Sequence, residues 1–171
     1  MDHTTPTQVY FEKQSDDKLC GLHALNSILQ APIYDEISLS QCGMELTRKE
    51  QQLVENTNYV SENVGLDGNY SIQVIGEALK QTNDMWLESL DSESNRGKNH
   101  SKDESAMICN SQAHWVAMRK VKGTWYNLNS CHPDGPQIIT AFDFDPFLAK
   151  VPTSLQANKI FRLRRRDTWC S

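Results

Sequence analysis

Nucleophilic acyl transfer needs a reactive thiol or hydroxyl, a base and a group that orients the base. This chain carries candidates for each in separate runs. Cys20 lies in Lys18-Leu19-Cys20-Gly21-Leu22-His23-Ala24-Leu25-Asn26, His114 in His114-Trp115, and Asn129 in Trp125-Tyr126-Asn127-Leu128-Asn129-Ser130. A thiol at its ordinary pKa of roughly 8.5 is mostly protonated near neutral pH. An adjacent imidazole can take that proton and form an ion pair. An amide oxygen accepting from the other ring nitrogen then fixes the tautomer and the ring plane. Asn129 is neutral, so it can orient the ring without adding charge to a pair that is already ionic. A helix starting at Cys20 would favour the thiolate and aim a backbone N–H at a developing oxyanion. Gln14, in the loop before that helix, can offer a second oxyanion donor through its side-chain amide.

Such a site needs a helix beneath the thiol and strands beneath the base and its orienter. Leu22, Leu25, Ile28 and Leu29 recur at helical spacing, which predicts a helix over 20–30 that Pro32 ends. Val9, Tyr10 and Phe11 read as a short extended entry. Ser38 resembles an N-cap for a second helical region carrying Leu39, Cys42, Leu46, Leu53 and Val54, and the polar stretch 47–52 argues against tight burial. Residues 65–69 read as a loop. Ile72, Val74, Ile75, Ala78 and Leu79 then form a third helical face. After Asn83-Asp84 the pattern turns β-like. It predicts a strand at 85–90, a polar mobile loop at 89–105, and strands at 106–110 and 114–120. A Lys122-Gly123 hairpin turn leads to a strand at 124–129. A turn at 133–136, a short strand at 137–140, a short helix at Phe144, Phe147 and Leu148, and a last strand at 159–163 follow. Helices dominate the first half and antiparallel strands the second, an α+β layout.

Bulk properties set the frame. The chain has 171 residues, enough for one domain with a sizeable core. Its formal net charge of −5 does not mark a nucleic-acid binder. The local cluster Arg162, Arg164, Arg165 and Arg166 reads as a solvated edge or tail. Cys20, Cys42, Cys109, Cys131 and Cys170 are odd in number and scattered, which argues against a disulfide framework. No apolar run approaches the roughly 20 residues that span a bilayer. The first residues lack the basic and apolar regions of a signal peptide. The sequons at Asn69 and Asn99 are therefore read as chance, and Cys170 is wrongly placed for prenylation. The expected compartment is reducing, cytosol or nucleus.

Each of these residues also has a bland reading. A lone cysteine at a helix start is commonly a small buried apolar residue. A histidine on a strand is commonly a satisfied core or surface residue, and an asparagine at a strand end a turn residue. The order of Gln14, Cys20 at a helix start, His114 on a later strand and Asn129 at the end of the next is the discriminating observation.

Taken with Glu12-Lys13-Gln14 and Tyr70-Ser71-Ile72-Gln73-Val74-Ile75, these runs resemble the Josephin family of cysteine deubiquitinases. They stand in family order and span most of the chain. The resemblance implies a papain-like α+β fold over 8–165, with short tails at 1–7 and 166–171. It implies hydrolysis of bonds to the C-terminus of ubiquitin, with no cofactor and no metal. It makes Cys20 the nucleophile, His114 the base, Asn129 the orienting residue and Gln14 the oxyanion-hole glutamine. The loop from Gln14 to Cys20 is one residue longer than the family pattern. His23 fits the motif and reads as structural. Residues 40–63 correspond to the family's mobile helical hairpin, which gates the cleft. Ile72, Gln73 and Trp86 correspond to a ubiquitin-contacting surface, although Ile72 also shares a core stripe with Ile75 and Leu79. The implied partners are ubiquitin or polyubiquitin conjugates, with no nucleic acid or membrane, and the expected state is a monomer. With no sequence after Ser171, linkage choice is not expected to come from the helical ubiquitin-interacting motifs of longer relatives.

Two readings from other classes stand beside this one. The first is a catalytically weak ubiquitin-binding module of the same fold. The second is a metal protein built from Cys109, His114, Cys131 and His132, a set that lacks the paired Cys-x-x-Cys of common zinc sites.

Overall fold

A computed structural model describes residues 8–15, 19–54, 70–89, 100–111, 114–140, 142–144, 146 and 159–165. Three helices come first: α1 (Cys20–Leu29), α2 (Glu36–Val54) and α3 (Ile72–Asn83). The strands are β1 (Met85–Ser89), β2 (Ala106–Ser111), β3 (His114–Val121), β4 (Thr124–Leu128), β5 (Gln137–Ile139) and β6 (Lys159–Arg165). A one-turn α4 (His100–Asp103) precedes β2. The six strands form one sheet in the order β1-β6-β2-β3-β4-β5, and every neighbouring pair is antiparallel. This is the expected α+β architecture.

Side-chain alternation explains how the sheet is covered. Ala106 and Ile108 on β2, Trp115 and Ala117 on β3, and Leu128 on β4 join the helices in the larger core. Leu25 and Ile28 of α1 and Val74, Ile75, Ala78 and Leu79 of α3 fill the same core. The alternate residues Met107, Cys109, Met118 and Trp125 face the other way and pack with Ile139 and Phe144. Trp125 and Phe144 stack with ring centroids 4.2 Å apart. Both faces of β2 are buried, which is why its sequence is a continuous apolar run.

The helix ends follow local chemistry. Ser71 caps α3, its hydroxyl accepting from the Val74 N–H at 3.3 Å. Helix α2 starts earlier than the Ser38 reading implied. Asp35 accepts from the Ser38 N–H at 2.7 Å, and the Asp35 N–H donates to Ser38 Oγ at 2.9 Å. This is a reciprocal capping box with Asp35 as the cap. The Lys122-Gly123 turn has φ of 48° and 81°, the paired positive angles of a two-residue hairpin turn.

Other expectations are revised or fall outside the described residues. Val9, Tyr10 and Phe11, read as an extended entry, lie outside any helix or strand. Part of the polar 89–105 segment is helical, namely α4. Residues 65–69, 90–99 and 55–63, together with Phe147, Leu148, Arg166, Cys170 and both tails, lie outside the description.

Two members of the arginine cluster, Arg162 and Arg164, are paired rather than solvated, while Arg165 is exposed and Arg166 lies outside the described residues. Arg162 donates to Glu88 at 2.7 Å and to Glu104 at 3.2 Å, and Arg164 donates to Glu104 at 2.8 Å. The Glu104 side chain is 2% exposed and that of Arg162 12%. These two arginines tie β6 to β1 and to the residue that leads into β2. Among the described residues, no helix is long and apolar enough to cross a membrane.

Candidate active site

Helix α1 packs on β3, and that contact brings the distant runs together. A Cβ built on Gly21 would lie 3.2 Å from Trp115 Cδ1, so glycine permits the helix start to approach the indole closely. The Trp115 indole N–H donates to the Tyr70 carbonyl at 3.1 Å, which also fixes the chain entering α3. The Trp115 backbone N–H lies 3.4 Å from Cys20 Sγ and donates to it.

Cys20 is the first residue of α1, and its N-cap, Leu19, makes no side-chain capping bond. Burial pushes the Cys20 thiol up. The hydrogen bond and charge of His114, with the N–H groups of Trp115 and Gly21, outweigh that and hold it below its ordinary value. His114 moves in the complementary direction. Its hydrogen bond to Cys20 raises it most, burial opposes, and Asn129 adds a further rise. Cys42 and Cys109, by contrast, are pushed up by burial, Cys109 to about 12. Of these three buried thiols, only Cys20 is prepared for ionisation.

Asn129 Oδ1 lies 2.9 Å from His114 Nε2. The same oxygen accepts from the Cys131 backbone N–H at 3.1 Å, so the oxygen of the amide faces the ring. His114 Nε2 therefore carries its hydrogen, and Nδ1 is left for the thiol. Asn127 Oδ1 in turn accepts from the Asn129 N–H at 3.1 Å and steadies the orienting residue.

Gln14 meets the same turn. Its N–H donates to the Ser130 carbonyl at 2.8 Å, and its Oε1 accepts from Ser130 Oγ at 3.0 Å and from Cys131 Sγ at 3.5 Å. With its oxygen held there, the amide nitrogen of Gln14 is the end directed away from Ser130. Residues 16–18 of the loop to Cys20 lie outside the description.

Cys20, His114 and Asn129 are thus one hydrogen-bonded chain, and Gln14 is fastened beside Asn129. His23 stands apart from the thiol in a network of its own, with Nδ1 2.7 Å from Glu12 Oε1. Ile72 is partly buried against the larger core at the start of α3, and Gln73 beside it is exposed. Trp86 is 43% exposed on β1, just beyond the other end of α3. Helix α2 packs on α3, with Leu39 and Cys42 buried and residues 51–53 exposed. Among the described residues, no three of His, Cys, Asp and Glu converge to hold a metal ion, and the set Cys109, His114, Cys131 and His132 forms no centre.

Two residues of this site had no assigned role at the sequence level. Asn127 was legible only as part of the Asn-Leu-Asn-Ser run. Glu12 could have been found from His23 and Asn26, polar positions within an otherwise apolar helix that need buried partners.

A helical layer that sets a cysteine at a helix start against a histidine on an antiparallel sheet is the expected α+β arrangement. The Josephin family model matches residues 15–163, and the chain belongs to the Josephin family. Relatives include the ataxin-3 homolog of Caenorhabditis elegans, 33% identical over 155 residues, covering 88% of this chain and 48% of the relative. The ataxin-3 homolog of Arabidopsis thaliana is 29% identical over 160 residues, covering 86% and 57%. Ataxin-3 of Homo sapiens is 32% identical over 158 residues, covering 84% and 42%. This chain spans about half the length of these relatives.

Proposed function

We propose that this protein is a cysteine-dependent deubiquitinase that hydrolyses peptide or isopeptide bonds at the C-terminus of ubiquitin. The observation that carries the reading is the chain from Cys20 to His114 to Asn129, with Gln14 fastened to the adjacent Ser130.

The chemistry follows from these contacts. The Cys20 thiolate attacks the carbonyl carbon of the terminal glycine of ubiquitin, and the carbonyl electron pair moves onto oxygen. A backbone N–H at the start of α1 and the Gln14 amide stabilise that oxyanion. The oxyanion collapses and the C–N bond breaks. His114 gives its proton to the departing amine, and a thioester to Cys20 remains. Water then attacks the thioester as His114 takes its proton. The C–S bond breaks, the new carboxyl group gives its remaining proton to solvent and leaves as the carboxylate, and the thiolate–imidazolium pair is restored. Asn129 keeps the ring in plane through both transfers. A reduced thiol is required, which fits a reducing compartment.

The test is ubiquitin carrying a C-terminal propargylamide, incubated with wild type and with Cys20→Ala. Wild type should gain the mass of one ubiquitin, and Cys20→Ala should gain none. An unreacted wild type that still binds ubiquitin would leave the binding-module reading in its place. An adduct that survives Cys20→Ala would remove Cys20 as the nucleophile.

A further inference from the structure

The segment before Gln14 is held by one face of α1, and that face begins with the nucleophile. Cys20, His23 and Asn26 follow at helical i, i+3 spacing, and Gln30 lies at the C-cap. Gln30 pairs with Tyr10 in both directions. The Tyr10 N–H donates to Gln30 Oε1 at 3.0 Å, and Gln30 Nε2 donates to the Tyr10 carbonyl at 3.2 Å. Glu12 is the centre of the arrangement. Its carboxylate accepts from His23 Nδ1 at 2.7 Å, from Asn26 Nδ2 at 3.0 Å and from the Tyr10 hydroxyl. The Glu12 side chain is 17% exposed and that of His23 12%, so these bonds compete little with water. Asn26, 1% exposed, also holds the Tyr34 backbone through 2.8 Å and 3.0 Å bonds, so its own position is fixed.

From this geometry we infer that Glu12 is a positioning residue for the oxyanion donor. It references the segment carrying Gln14 to the same helix face that carries Cys20. Gln14 is then held from two sides, by Glu12, which is bonded to His23 and Asn26 of α1, and by Ser130 on the turn beside Asn129. An oxyanion donor works only within hydrogen-bond reach of the oxygen as charge develops there. Loss of the Glu12 hold lets residues 10–14 drift while Cys20 and His114, carried by α1 and β3, keep their contact. This role rests on the proposed hydrolysis.

The experiment measures two rates on the intact protein. Turnover of ubiquitin bearing a fluorogenic C-terminal amide reads the oxyanion step, and iodoacetamide alkylation of Cys20 reads the thiolate alone. Gln14→Ala should lower kcat by about 10²-fold, the scale of a single oxyanion donor. Glu12→Gln should lower kcat by about 10-fold, a part of that donor's worth. KM and the alkylation rate should stay near wild type. In the Gln14→Ala background, Glu12→Gln should cause no further loss, because it acts only through Gln14. Tyr10→Phe removes one donor to the same carboxylate and carries the same comparison if Glu12→Gln does not fold.

Multiplying losses in the double variant, or an alkylation rate that falls in step with kcat, would overturn the role and make Glu12 a general support of α1. Unchanged kcat in a folded Glu12→Gln protein with an active wild type removes the role and leaves the hydrolytic function standing. A wild type without turnover removes both.

Discussion

The backbone N–H of Cys131 donates to the same Asn129 oxygen that accepts from His114. A single oxygen therefore joins the turn after β4 to the imidazole. Its two donors leave no ambiguity about which end of the amide faces the ring. The hydrogen on His114 Nε2 is directed at an oxygen that a main-chain group two residues beyond Asn129 holds in place.

That link predicts a pH signature. The ion pair exists above the pH at which Cys20 loses its proton and below the pH at which His114 loses its proton. Cys20 is lowered and His114 raised from their ordinary values, so both changes favour the ion pair over the neutral pair. Asn129→Ala removes one cause of the His114 rise, so the alkaline limb of kcat/KM should move to lower pH. Asn129→Asp adds a charge beside the ring and should move it to higher pH. Identical alkaline limbs in both variants would separate Asn129 from the titration. The limbs belong to the pair and not to either residue alone.

His114→Ala should cost about 10²–10⁴-fold in kcat, the usual worth of a positioned acid–base group. It should also raise the pH midpoint for iodoacetamide alkylation of Cys20. Burial, which pushes the thiol up, remains in this variant, while the largest opposing influence is gone. A midpoint equal to that of wild type would show that His114 does not govern the thiolate.

Glu104→Ala should destabilise without altering the chemistry. It leaves Arg162 and Arg164 short of their shared, buried partner. Breaking a buried pair costs roughly 3 kcal/mol, which for a domain of this size is a fall of several degrees in Tm. Thermal unfolding tests the first part, and kcat at low temperature the second. A Tm within error of wild type would return the cluster to the role of surface charge.

The ubiquitin-contact reading separates Trp86 from Ile72. Trp86→Ala changes an exposed side chain and should raise KM at least about 5-fold, near the ~1 kcal/mol that marks an energetically significant contact. Its kcat and Tm should hold. Ile72→Glu alters a residue packed partly on the core and should raise KM while also lowering Tm. Unchanged KM in both variants would remove these residues from the binding surface.

Most elements were legible because one pattern dominated each. The apolar stripe of α1, the two-faced apolar run of β2 and the Lys122-Gly123 turn left little choice. The start of α2 was misread because Asp35 and Ser38 are both capping residues, and in the reciprocal box each bonds to the other. The pairing of Arg162 and Arg164 is hidden for a different reason. The partners lie far away in sequence, 74 residues for Glu88 and 58 for Glu104 from Arg162, and no local pattern reports them. The triad order was readable, but its proton arrangement was not, because Asn129 is fixed by a backbone N–H that any residue type could supply.

The contact between Trp115 and Cys20 spans 95 residues of chain. A nascent or unfolded chain lacks it, and there Cys20 is an ordinary, largely protonated thiol. The proposed nucleophile is therefore switched on by the closing of a long-range contact, late in any order of assembly in which local helices form first. For the proposed hydrolysis, folding takes the place of the activation step that some hydrolases obtain by removing a propeptide. The reactivity of the Cys20 thiol thereby reports on the native contact itself.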